Sequence, residues 1–149
     1  MSVKILYGAR IAPSYSVPTS GGVAVWNLDK YKWEVGDVLT VDPTTEMLEK
    51  ASDTSTGPVG LAQEYRREVT GTDYSVDQTY ASLKGSLIMG ETYLKTDRYA
   101  SGASFTAGNS LYIDADGLVT ESVNSLVIGK VMEVGTSDIT MLFSPQYVA

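Results

Sequence analysis

Two aspartates are the first residues in this chain whose type and placement could do chemistry together. Asp42 closes the phrase "VGDVLTVD" (35–42) and Asp114 closes "AGNSLYID" (107–114). A facing pair of carboxylates is the machinery of glycoside hydrolysis, one acting as acid and the other as nucleophile or base. The run "DADG" at 114–117 also invites a calcium reading. With Asp114 as first ligand, however, Gly117 falls fourth and Ser125 twelfth, whereas a calcium loop of the EF-hand kind needs Gly sixth and Glu twelfth. Both aspartates precede turn formers, "PTT" and "ADG", and Asp opening a turn accounts for them without catalysis or metal.

The remaining chemistry is narrow. The chain has no His, which removes Ser-His-Asp catalysis and the usual zinc ligands, and no Cys, which removes disulfides and thiolate nucleophiles. We therefore expect no enzyme activity, no cofactor and no metal. A formal charge of −7 argues against nucleic acid, whose affinity rests on clustered Lys and Arg. The one tight basic cluster, Arg66–Arg67, is expected to be a solvated face. No apolar run reaches the roughly 20 residues of a membrane helix, and the N-terminus lacks the apolar stretch of a secretion signal, so no membrane partner and a cytoplasmic origin are expected. Ten Tyr and two Trp stand against two Phe, a balance suited either to interfaces or to ordinary strand surfaces. Trp26 and Trp33 flank "NLDKYK" and could form core or a sugar-binding platform, with core preferred.

The elements that must position these residues are strands. In "VGDVLTVD", Val35, Leu39 and Val41 fall at period two, and in "AGNSLYID" Leu111 and Ile113 point one way while Ser110 and Tyr112 point the other. The two phrases share Gly, Leu and Asp at equivalent places. Each is followed by a turn, a return segment ("EMLEKAS" and "LVTESV") and a strand containing a glycine ("PVGLAQEY" around Gly60, "VIGKVMEV" around Gly129). "TTEMLEKAS" alone has helical propensity, but its counterpart is hairpin-like, so a strand is expected in both copies. Gly36 to Gly60 spans three residues more than Gly108 to Gly129, an excess expected in the turn and the "DTSTGP" loop of the first copy. "ASLKGSLIMGETYLKT" reads as two more strands interrupted by Gly85 and Gly90, and "DRYASGASFT" as loop. The last strand carries Ile139, Met141 and Phe143 on one face and is ended by Pro145.

Short strands separated by Gly, Pro, Asn and Asp predict an all-β protein, a compact β-sandwich or small β-barrel. Residues 1–25, with Pro13, Pro18 and Gly21-Gly22, read as an extended N-terminal arm; residues 26–149 read as a single β domain containing the two related units at 35–65 and 107–134. Residues 62–82 fit neither strand nor turn grammar and could hold a short helix or a long polar loop. In the arm, Val3, Ile5 and Tyr7 alternate with Lys4 and Leu6, which suits a strand added to a neighbouring protein's sheet or the first strand of its own.

The sequence "EVGDVLTVDPTTEMLEKASDTSTGPVGLAQE" together with "TAGNSLYIDADGLVTESVNSLVIGKVMEV" resembles the capsid decoration, or cement, proteins of tailed bacteriophages. The resemblance covers about sixty residues. It implies a β-tulip-like body and a non-enzymatic virion protein on the capsid exterior, binding the major capsid protein, often as a homotrimer. It implies that the arm makes capsid contacts, for which Val3, Ile5, Leu6, Tyr7, Ile11 and Tyr15 are the expected residues. The rival reading is another virion structural or adhesion module, a head fibre or tail-associated part that could bind glycans through its aromatics.

Overall fold

The computed structural model describes residues 4–8, 14–16, 19–20, 23–24, 28–63, 65–66, 84–123 and 126–144. Thirteen strands run through them: β1 (Lys4–Gly8), β2 (Ser14–Ser16), β3 (Thr19–Ser20), β4 (Val23–Ala24), β5 (Val38–Val41), β6 (Leu48–Lys50), β7 (Val59–Ala62), β8 (Lys84–Ile88), β9 (Thr92–Thr96), β10 (Ser110–Ile113), β11 (Val119–Thr120), β12 (Val127–Val134) and β13 (Ile139–Phe143). One 3-10 turn at Asp29–Tyr31 is the sole helical element among the described residues.

The strands form an antiparallel six-stranded sheet, β1-β9-β13-β12-β10-β11, and an antiparallel five-stranded sheet, β2-β8-β7-β5-β6; among the described residues β3 and β4 pair only with each other. Neither sheet closes on itself, so of the two expected architectures the protein adopts the sandwich and not the barrel. Residues 4–8 and 14–16, within the stretch expected to be an arm, pair with β9 and β8 of this same chain. Trp26, Arg67, Pro145 and most of 62–82 lie outside the described residues.

The main core lies between the sheets. Val38, Val59, Leu61 and Ile88 of the five-stranded sheet meet Leu94, Leu111, Ile113, Ile128, Val131, Ile139, Met141 and Phe143 of the six-stranded one. Each such side chain contributes about 1.5–3 kcal/mol when fully buried. The alternation expected for β10 is present: Leu111 and Ile113 are buried, and Ser110 and Tyr112 are half-buried. Ile139, Met141 and Phe143 likewise share the buried face of β13. A second, smaller core of Trp33, Leu39, Val41, Leu48, Ala62 and Leu87 covers the other face of the five-stranded sheet. This is why every residue of β5 and of β7 is buried, whereas β9 and β10 alternate.

The repeat read in the sequence recurs as hydrogen-bonded structure. In the first copy β5 pairs with both β6 and β7, and in the second β10 pairs with both β11 and β12. Leu39 stands opposite Gly60, as Leu111 stands opposite Gly129. The Gly36 N–H donates to the Ala62 carbonyl at 2.9 Å, and the Gly108 N–H to the Val131 carbonyl at 2.7 Å. Both turn glycines have positive φ, 86° and 93°, which a side chain would resist. "EMLEKAS" holds the strand β6 at Leu48–Lys50, as comparison with its counterpart requires: pairing with β5 overrides its helical propensity.

The strand glycines have a different reason. β7 goes on to pair with β8, and β12 with β13. A Cβ on Gly60 would stand 2.6 Å from the Ile88 carbonyl oxygen, and one on Gly129 would run into the Leu142 carbonyl. Close backbone approach from the next strand leaves room only for hydrogen at both places.

Candidate functional site

The carboxylates that opened the chemical reading are turn openers. Asp42 Oδ1 accepts the N–H groups of Thr44 (2.7 Å) and Thr45 (3.2 Å); Asp114 Oδ1 accepts those of Asp116 and Leu118, both at 2.9 Å. The bonds from Thr44 and Thr45 hold the Asp42 carboxyl below its ordinary range. Each aspartate belongs to the hairpin of its own sheet, so the two copies use the residue for geometry.

Trp33 is 4% exposed and belongs to the smaller core, as preferred, so it offers no sugar platform. The expectation for Arg66 fails. It is fully buried, because its backbone pairs with Trp33 in both directions at 2.8 Å and seats the guanidinium over the indole, 5.8 Å from the ring centre. Its Nη1 also donates to the Tyr31 carbonyl at 3.4 Å.

Among the described residues an ion pair joins the sheets at Arg98, in the segment "DRYASGASFT" that reads as loop. Arg98, just after β9, makes a two-pronged bond to Asp37, just before β5: Nε to Oδ1 at 2.7 Å and Nη2 to Oδ2 at 2.8 Å. Asp37 is 3% exposed and also accepts the Glu34 N–H at 2.9 Å. The Asp37 carboxylate bonded to Arg98 raises the guanidinium further above its ordinary value. One signal was available. Asp37 is the charged counterpart of Asn109, and a charge present in one copy only needs its own partner.

A cleft of about 830 Å³ lies where the copies meet, between β6 of the first and the hairpin turn of the second. Lys30, Lys50, Glu49 and Asp116 line it. Lys30 is paired with Glu49 at 3.0 Å, and the bond to Glu49 raises its ammonium above the usual lysine value. The charges of the cleft are of mixed sign, and Lys30–Glu49 and Lys32–Asp29 pair among them, which suits a polar contact surface better than acid–base chemistry. Among the described residues no cluster of three His, Cys, Asp or Glu side chains could hold a metal ion, and no helix is long and apolar enough to cross a membrane.

The residues expected to contact a capsid are distributed over both sheets. Ile5, Leu6 and Tyr7 lie on β1, with Ile5 opposite Leu94 and Tyr7 opposite Tyr93; Tyr15 lies on β2 opposite Gly85. Val3 and Ile11 lie outside the described residues. The register shifts between Ile5 and Tyr7, and Leu6 at the shift is 41% exposed. β1 is the outermost strand of its sheet, so one of its backbone edges has no strand beside it among the described residues. Comparison of the chain with protein-family models, with curated proteins and with solved structures finds no match.

Proposed function

We propose that this chain is a decoration, or cement, protein of a tailed-bacteriophage capsid, a non-enzymatic homotrimer that binds the exterior of the mature head and joins neighbouring copies of the major capsid protein. The observation that carries this reading is the rim strand β1, which combines an exposed apolar residue, Leu6, with a backbone edge that has no strand beside it among the described residues. Such an edge recruits a partner through main-chain bonds, and an apolar side chain beside it adds area. Many copies, each holding several subunits, stabilise a shell without tight affinity at any one contact. The glycan-binding rival is the weaker reading, because Trp33 is committed to the core.

Cryo-microscopy of purified particles containing this chain tests the proposal. The expected result is density for the β-sandwich on the outer face of the lattice, with β1 toward the major capsid protein. Absence from the exterior, or a location at a fibre or tail, overturns it. Leu6→Lys is expected to weaken sedimentation with expanded heads by tenfold or more while the circular-dichroism spectrum stays that of the parent.

A further inference from the structure

The two N-terminal strands do something unusual for edge strands: they cap both sheets at the same rim. β1 pairs with β9 and β2 with β8, and among the described residues neither pairs with anything else. β8 and β9 are consecutive, separated only by residues 89–91, so they form one ribbon that passes from one sheet to the other. The registers follow that ribbon from end to end: Ser16 opposite Lys84, Ser14 opposite Ser86, Gly8 opposite Thr92 and Lys4 opposite Lys95.

The connection from this pair to the rest of the fold is equally distinctive. Between β2 and the 3-10 turn lie β3 and β4, which pair with each other and belong to neither main sheet. Residues 17–28 extended would span about 40 Å, at roughly 3.3–3.6 Å per residue, comparable to the width of a small domain. The ladder of β1 is also interrupted at Leu6, which leaves fewer consecutive bonds to hold it.

We propose that β1 and β2 form an exchangeable module, donated by one copy of this chain to the β9 and β8 edges of a second copy. The exchanged form keeps every pairing of β1 and β2 and of the two main sheets; it gives up only the two-residue β3–β4 pairing as residues 17–28 extend, so swapping costs little. Its occupant is a second copy of this chain, because the registers above are already matched to that ribbon. The exchange does not depend on the capsid reading; a chain of any role could associate in this way.

The absence of cysteine makes the test direct. Ser14 and Ser86 are cross-strand partners, and cysteines at paired positions lie within disulfide reach. Full-length chain carrying only Ser14→Cys is mixed in denaturant with chain carrying only Ser86→Cys, refolded together at increasing concentration, oxidised, and run on a non-reducing gel. The expected result is a disulfide-linked dimer whose yield rises with concentration. A control mixture of Ser14→Cys with Ser122→Cys, an exposed position away from β8, should give at least tenfold less. The double variant Ser14→Cys/Ser86→Cys reports the register itself. Closure within single chains and none between chains in the mixture overturns the proposal. Equal cross-linking in the control overturns it, and so does a failure to form any disulfide, since exchange preserves the β2–β8 register.

Discussion

In the first copy of the repeat and the strand β8 that follows it, Leu39, Val41, Leu48, Ala62 and Leu87 point into the smaller core; in the second copy and the following strand β13, their counterparts Leu111, Ile113, Val119, Val131 and Met141 point into the main core between the sheets. The opposite faces differ just as consistently. Val38, Leu61 and Ile88 enter the main core, whereas their counterparts Ser110, Lys130 and Leu142 lie on the outer face of the six-stranded sheet. The copies are therefore not mirrored across a shared interior. They are stacked in the same sense, the second setting its leucine face against the back of the first. This explains why so little sequence identity survives. The positions that serve local geometry, Gly36 and Gly108 or Asp42 and Asp114, keep their residue type, while back-face positions must change because one back is buried and the other is wet.

The largest effect that could break this equivalence concerns the strand glycines. Gly60→Ala and Gly129→Ala should each cost about 3 kcal/mol or more in urea unfolding, since the added methyl meets backbone that cannot move without opening the next strand pair. Gly108→Ala has open space around it and should cost only about 1 kcal/mol, the penalty of positive φ alone. If Gly60→Ala were tolerated while Gly129→Ala were not, the two glycine strands would not be counterparts in any energetic sense.

A smaller effect tests the clearest point of divergence. Asp37→Asn gives the first copy the residue of the second and removes the charge that holds Arg98 across the sheets. Stripping one partner from a buried pair costs about 3–5 kcal/mol; with Arg98 27% exposed, solvent screening brings the expected loss to about 2 kcal/mol. The reverse change, Asn109→Asp, places a carboxylate beside Glu121, the present partner of the Asn109 amide at 2.8 Å, and should cost less than about 1 kcal/mol because that pair is exposed. A double-mutant cycle of Asp37→Asn with Arg98→Met measures the coupling. A value near zero would mean that packing alone holds the sheets together.

What could be read in the sequence follows the same division. Strand identity, the hairpin turns and the turn glycines depend on neighbours within one copy, and the strand glycines, which face the following strand β8 or β13, recur at equivalent places; comparing copies exposed them all, and it even overruled the helical propensity of "EMLEKAS". Arg98 and Arg66 were missed or misplaced because their partners are 61 residues away across the sheets and 33 residues away at Trp33, and no local period records such a meeting. The stacking sense was invisible for a related reason: Val38 lies on one face of β5 and Leu39 and Val41 on the other, so alternation could not say which face met the second copy.

The smallest effect sharpens the comparison at the turns. The second copy closes its turn with Gly117 at φ 81°, and the Gly117 N–H donates to the Asp114 carbonyl at 3.0 Å. The first has one more residue there, and Glu46, at φ 60°, donates to the Asp42 carbonyl at 2.8 Å. A side chain in the left-handed region costs about 1–2 kcal/mol, part of which glycine returns through its larger unfolded-state entropy. Glu46→Gly should therefore stabilise the protein by about 0.5 kcal/mol, read as a small rise in the urea midpoint at unchanged slope. Gly117→Ala should move the other way and further, since its methyl would stand 2.6 Å from the Ala51 carbonyl oxygen in addition to the strain at φ. Opposite signs at equivalent turns would mean that the two hairpins share one backbone solution, strained in the first copy and relaxed in the second; matching signs would mean that the extra residue has given the first turn a conformation of its own.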